Sequence, residues 1–434
     1  MHFKGFSHSN INVVIPRIDF KEFELSNGLR IVMSRVPEIP MVALNTTFKV
    51  GSKDEEEDKT GLAHFIEHLM FEGSKFLKSG EFDEILNRNG GESNAFTTWD
   101  STSYYIVIPS NKLETALWLD SNRFFDISLT EKSFVKQKDV IFEEKLQVYD
   151  NTPYGSLEVE SSRRLFSKSG YKSPIIGDME HIKNMRLEDV FAFFRKYYIP
   201  NNAVLSIIGD IDYYETEKLV RKYYDDINRG EEIFSKEYFD DDIEEEITDD
   251  IFDNIHLTGK FLFYKLPMPG SKAYYAIQIL NGILSNGDSS RFYKELVYRK
   301  ELVNDIESYL YDMEKVSLFS ISSIALEGRS IFEIEKEIDS IIEEVKSGNI
   351  HDYEVQKIKN KIEAGFNTRK LSIISLAERF SHIKTFYDDC EKINNEILNY
   401  LDITKEDIVN AANMHLNKNQ RVNLNYFPIN ENWN

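Results

Sequence analysis

Apolar positions along this chain recur with two different periods. Residues 23–36 (FELSNGLRIVMSRV) hold two alternating runs around Asn27-Gly28, a dipeptide suited to closing a hairpin because both residues tolerate positive φ. Residues 41–52 alternate in the same way. Residues 102–108 (TSYYIVI) read as a strand, and 201–212 as a short buried strand ending in a Gly-Asp turn. Helical spacing then takes over. Leu113, Ala116, Leu117, Leu119 and Phe124 mark one helix, and 131–148 a second. The same succession returns later: a strand over 316–326, a helix marked by Ile331, Ile334, Ile338, Ile341 and Ile342, and another over 352–366. Strand, helix, short joint, helix thus occurs twice, which points to duplication of one α+β unit.

Between the two copies lies DDDIEEEITDD, residues 240–250, without a basic residue. Like charges in such a block repel one another and favour solvent. The expected division is an N-terminal domain over 1–229, an acidic linker over 230–254 and a C-terminal domain over 255–434. Strands and helices without strict β-α alternation give the expected fold class: α+β, two homologous domains, each a mostly antiparallel sheet with helices packed on one face.

Composition narrows the partners. The 434 residues include 52 basic and 74 acidic side chains, a net charge of −22 that would repel the phosphates of nucleic acid or an anionic membrane. The single cysteine, Cys390, allows neither an internal disulfide nor a multi-cysteine metal cluster. No run approaches the ~20 apolar residues that span a bilayer. The first twenty residues lack a charged segment followed by an apolar core, so the expected location is the cytoplasm.

One segment carries chemistry. Residues 60–74, TGLAHFIEHLMFEGS, contain His64, Glu67 and His68 within a helical apolar pattern of Leu62, Ile66, Leu69 and Met70. On a helix, i and i+4 share a face, so both imidazoles can address one ion. Two imidazoles suit zinc, which lowers the pKa of a water; Glu67 is placed to take that water's proton as it attacks a carbonyl.

HFIEH is the inverted zinc motif, and GLAHFIEHLMFEGS resembles the pitrilysin/insulinase family of zinc peptidases. The likeness is greatest to the branch of shorter subunits that includes mitochondrial processing peptidases and bacterial relatives. GGESNAFTTWDSTSYY (90–105), YKSPIIGDMEHI (171–182) and YIPNNAVLSIIGDID (198–212) resemble further family blocks, and the likeness runs over about 20–415. It implies one Zn2+ per chain, a bowl-shaped half of a clamshell, and a third ligand on a second helix. That ligand falls on Glu144, 76 residues beyond His68, with the adjacent Glu143 as competitor. The position seven residues earlier, a glutamate supporting the ligands in many relatives, is Gln137 here. The resemblance also makes Asn94, Ala95, Phe96 and Thr97 an edge strand to which a peptide substrate adds, with Asn94 orienting it.

Residues 287–310 resemble a family segment that supplies an arginine and, seven residues on, a tyrosine reaching across the chamber to substrate. The matching positions hold Val297 and Asn304, with Tyr298 and Arg299 out of register. A chain with the zinc site but without this clamp implies a peptidase subunit that acts on short or unfolded peptides and pairs with a homologous, non-identical subunit. A self-sufficient homodimer and a non-catalytic scaffold subunit are the alternatives.

Overall fold

The computed structural model describes residues 16–124, 127, 129–234 and 240–429. Residues 1–15 of the expected first domain, 235–239 of the expected linker and 430–434 of the expected second domain lie outside them.

Two sheets organise the described chain. The first comprises β1 (Lys21–Glu24), β2 (Arg30–Arg35), β3 (Met41–Phe48), β4 (Glu92–Thr97), β5 (Thr102–Pro109) and β6 (Ala203–Gly209), in the order β1-β2-β6-β3-β5-β4. The second comprises β7 (Ile247–Asp253), β8 (Gly259–Leu266), β9 (Val303–Asp312), β10 (Ser317–Ala325) and β11 (Arg421–Pro428), in the order β7-β11-β8-β10-β9. Each has one parallel pair, β2 with β6 and β7 with β11, and is otherwise antiparallel. Setting β1 aside, the two orders match strand for strand, so the same topology is built twice. The β1–β2 connection is wider than a two-residue turn. Glu24 pairs with Arg30, and Asn27 leaves the turn to donate to the carbonyls of Tyr224 and Ile227 at 2.8 and 2.9 Å.

The acidic segment departs from its expected role. Its C-terminal part is not linker but β7, the edge strand of the second sheet, in parallel register with β11. An edge strand tolerates charge because most of its side chains face water, and charge also discourages further pairing. The carboxylates are anchored as well: Arg164 donates from Nε to Asp249 at 3.0 Å, Arg421 to Glu246 at 2.6 Å and Asn425 to Asp250 at 2.7 Å.

Each half packs its own helices on one face of its sheet, and the other half covers the opposite face. The helix Ile373–Phe386, from the second half, lays Ile373, Leu376, Ala377, Phe380 and Ile383 on Val32, Ala43, Val107, Val204 and Ile208 of the first sheet. The helix Leu157–Leu165, from the first half, carries Leu165 with Phe166 and Tyr171 onto Phe261, Phe263, Val422, Leu424 and Tyr426 of the second. The boundaries read from the sequence therefore do not divide the packing: residues from within 255–434 complete the core of the first half, and the reverse.

An ionic clasp joins the tips of two hairpins. Glu314, between β9 and β10, lies 2.9 Å from Lys49 and 3.5 Å from Lys53, and its backbone N–H donates to Asp100 at 2.9 Å. Burial pushes the Glu314 carboxyl up, but Lys53 and Lys49 outweigh it and hold it down at about 2. A depressed folded value contributes stability above the ordinary 4.5 that is lost as pH falls from there through about 2. Glu314→Gln should therefore lower the melting temperature at neutral pH and flatten its fall between pH 4.5 and 2. Thermal unfolding followed across that range checks this; an unchanged acid limb would assign the acid loss to other carboxylates.

Candidate metal centre

The helix Leu62–Leu69 starts at Gly61, whose φ of 90° is left-handed. A Cβ at Gly61 would also stand 2.4 Å from the Ile182 side chain, so glycine is required by conformation and by space. Leu62, Phe65, Ile66 and Leu69 are buried in the first core. This leaves His64 and His68, one turn apart, facing the helix Glu131–Glu144. Phe65 packs on Phe134 of that helix with ring centroids 5.4 Å apart. The second helix is capped by Thr130, whose hydroxyl accepts from the Ser133 N–H at 3.1 Å. It buries Phe134, Gln137 and Ile141, and Glu144 continues that stripe at its last position before the backbone widens into a π-turn over Lys145–Asp150. Such widening often accompanies functional positions.

Three side chains able to hold a metal converge there. His64 Nε2 and His68 Nε2 are 3.4 Å apart, Glu144 Oε1 is 3.6 Å from the first, and Oε2 is 3.2 Å from the second. Zinc bonds of about 2.0–2.1 Å at tetrahedral angles set donors about 3.3–3.4 Å apart, so the side chains as placed fit the ion. Glu144 is half-buried against the imidazoles, whereas Glu143 faces solvent. Burial, reinforced by His68 and opposed by Glu144, lowers His64 to about 4, which keeps it in the neutral, ligating form at pH 7. The hydrogen bond from His68 holds the Glu144 carboxyl below its usual range.

Glu67 sits beside this cluster. Burial pushes its carboxyl upward, and Thr97 opposes that by donating to Oε2 at 2.6 Å. Thr97 thus holds the Glu67 carboxyl rather than serving only as a strand residue. It belongs to β4, which pairs with β5 and leaves its other edge without a strand among the described residues. Side chains alternate along β4: Ala95 and Thr97 turn towards the zinc helix, while Asn94 and Phe96 turn away. Asn94 accepts from the Ala95 N–H at 2.9 Å, so its carbonyl oxygen is held by its own backbone. Phe96 lines a cavity of about 1110 Å³ with Tyr274, Tyr387 and Tyr400, behind the strand.

Other expected positions fall elsewhere. Gln137 is buried, but its amide donates to Glu72 at 2.5 Å and to none of the three ligands. It ties the end of the zinc helix to the helix of Glu144. Val297 packs on the second core, Asn304 is exposed on β9, Tyr298 stands 79% exposed, and Arg299 pairs with Glu295 at 3.2 Å. Sequence reasoning missed Glu55, whose carboxylate meets the start of the zinc helix. Nothing local marks it: it lies in an acidic loop six residues ahead of Gly61.

The chain is similar to known proteins over most of its length. The family model described as insulinase (peptidase family M16) matches residues 30–179, and that described as the peptidase M16 inactive domain matches 184–362. The zinc protease PqqE of Helicobacter pylori is 29% identical over 400 residues, covering 91% of this chain and 90% of that protein. An uncharacterised zinc protease of Bacillus subtilis, YmxG, is 26% identical over 301 residues, covering 69% and 72%. The crystal structure of a protease from Helicobacter pylori superposes with a TM-score of 0.90 at 28% identity, over 95% of this chain and all of that one. A putative M16-like peptidase from Alicyclobacillus acidocaldarius, 18% identical, shares the fold at a TM-score of 0.83, over 96% of this chain and all of that one. Twofold topology, inverted motif and matching family models lead to one assignment: the chain belongs to the pitrilysin/insulinase (M16) family of peptidases.

Proposed function

We propose that this chain is a zinc-dependent endopeptidase subunit that hydrolyses short or unfolded peptides. The observation that carries the reading is the convergence of His64, His68 and Glu144 at zinc-ligand spacing with Glu67 alongside. One zinc, held by those three side chains with a fourth position open, would polarise the scissile carbonyl and lower the pKa of a water. Glu67 takes the proton of that water as it attacks and passes it to the leaving amine. The Thr97 hydroxyl holds the Glu67 carboxylate in place for both steps. Substrate adds as a strand to the open edge of β4, where main-chain hydrogen bonds accept many sequences. Its side chains then alternate between the zinc side and the cavity behind Phe96.

The proposed partner is a homologous but non-identical chain. Valine at 297 cannot donate a hydrogen bond, Asn304 is shorter than a tyrosine, and Tyr298 and Arg299 point into solvent. A missing donor to a developing oxyanion costs ~10²–10³ in rate.

Three outcomes follow. Metal analysis should find one zinc per wild-type chain, lost in Glu144→Ala and kept in Glu143→Ala; the reverse pattern would move the third ligand. Glu67→Gln should retain zinc yet lose peptide hydrolysis, and turnover at the wild-type rate would remove Glu67 from the mechanism. The purified chain alone should hydrolyse unstructured peptides slowly and gain on mixing with a partner bearing the arginine and tyrosine. Fast hydrolysis by the chain alone would favour a self-sufficient homodimer.

A further inference from the structure

The zinc helix has no side-chain cap of its own: its N-cap is glycine and its first turn holds no acidic residue. Its leading N–H groups are nevertheless satisfied. The Gly61 N–H donates to Glu55 Oε2 at 2.7 Å and the Ala63 N–H to Glu55 Oε1 at 2.8 Å, so each carboxylate oxygen takes one donor of the first turn. Glu55 is 6% exposed, at the positive end of the helix dipole. Burial pushes its carboxyl up, and the N–H bonds from Ala63 and Gly61, which favour the charged form, pull against that shift.

The segment that presents Glu55 is itself tied to the substrate edge. Ser52 and Lys53 donate their backbone N–H groups to the carbonyls of Thr98 and Trp99, at 3.2 and 3.1 Å, in the turn that leaves β4. The far side of the helix start is fixed as well. The Thr60 hydroxyl lies 2.8 Å from His181 Nδ1 and accepts from the Asp178 N–H at 2.9 Å. A continuous path therefore runs from the β4 turn through Glu55 to Ala63, the residue before the first histidine.

We infer that Glu55 is a positioning residue of the metal centre, whose carboxylate fixes the first turn of the ligand helix, and so the direction of His64, relative to the edge strand β4. The inference rests on the zinc reading above. Without the carboxylate, two buried N–H groups lose their acceptors and the first turn shifts or frays. Removing a ligand itself abolishes binding, whereas losing a supporting group weakens it; outer partners of metal ligands typically contribute about 10–100-fold in affinity.

The test is zinc affinity by competition with a chelating dye, on wild type, Glu55→Gln and Glu55→Asp, with circular dichroism of the metal-free chains. Glu55→Gln keeps the shape but turns a donor towards one of the N–H groups. It should bind zinc about 10–100-fold more weakly and shift the visible spectrum of the cobalt-substituted protein. Glu55→Asp, which keeps the two carboxyl oxygens on a shorter arm, should fall between the two, and it decides the matter if Glu55→Gln does not fold. Wild-type affinity and an unchanged cobalt spectrum in a folded variant overturn the inference while leaving the metal centre standing. Absence of zinc binding by the wild type overturns the metal reading, and this inference with it.

Discussion

A sheet that is apolar on both faces needs two covers, and each repeat of this chain makes helices for only one. The exchange of Ile373–Phe386 for Leu157–Leu165 meets that need in both halves at once. Five apolar side chains of the first helix go from water to core. At about 1.5–3 kcal/mol for each large one, this cover is worth ~10 kcal/mol, as much as the net stability of a typical domain. The ionic clasp at Glu314 is smaller by comparison. It aligns halves that the exchanged helices already hold together. Polar groups fit the same seam: Ser206 donates to the Ala377 carbonyl at 2.7 Å, and Asn45 reaches the Ser381 hydroxyl at 2.5 Å.

Duplication with exchange also accommodates one candidate metal centre, the one found among the described residues, in a twofold scaffold. The zinc helix follows β3; the helix that follows β8, Lys272–Ser285, reads KAYYAIQILNGILS and contains no histidine. Nine of its residues are buried, and they fill the core on the side where the first repeat spends two positions on imidazoles. The second repeat is thereby free to be a wall. Its β9–β10 hairpin closes on the turn after β4, and the tyrosines Tyr274, Tyr387 and Tyr400 line the cavity behind that strand.

What can be read from the sequence is what is local. The i, i+4 histidines, the strand runs of β3 and β5, and the apolar spacing of Ile331–Lys346 are local signals, and the structure carries each of them as an element. The acidic run misleads because charge implies solvent, and solvent alone does not imply a linker. An edge strand meets water too, and the pairing of β7 with β11 joins residues more than 170 apart. Glu55 and Thr97 are illegible as partners of the zinc helix for the same reason. An acceptor for backbone N–H groups has no periodicity, and the donor to Glu67 lies thirty residues beyond it. The reciprocal cover cannot be read either, because an amphipathic helix does not state which sheet it will cover.

The placement of Thr97 joins the two demands on a peptidase site. A general base must be held within hydrogen-bonding reach of the attacking water, and the peptide must be held at a fixed height beside it. Here one strand meets both. The side chain of Thr97 restrains Glu67, while the outer edge of the same strand offers the main-chain groups on which the proposed substrate would pair. Any movement of β4 would carry base and peptide together, so their relative position is less sensitive to motion between the halves than either position alone. The helix that carries Glu67 has room for a second tie to this strand, at its start. The segment running from the β4 turn to Glu55 supplies one. The proposed metal, base and substrate edge are thereby referred to one structural element.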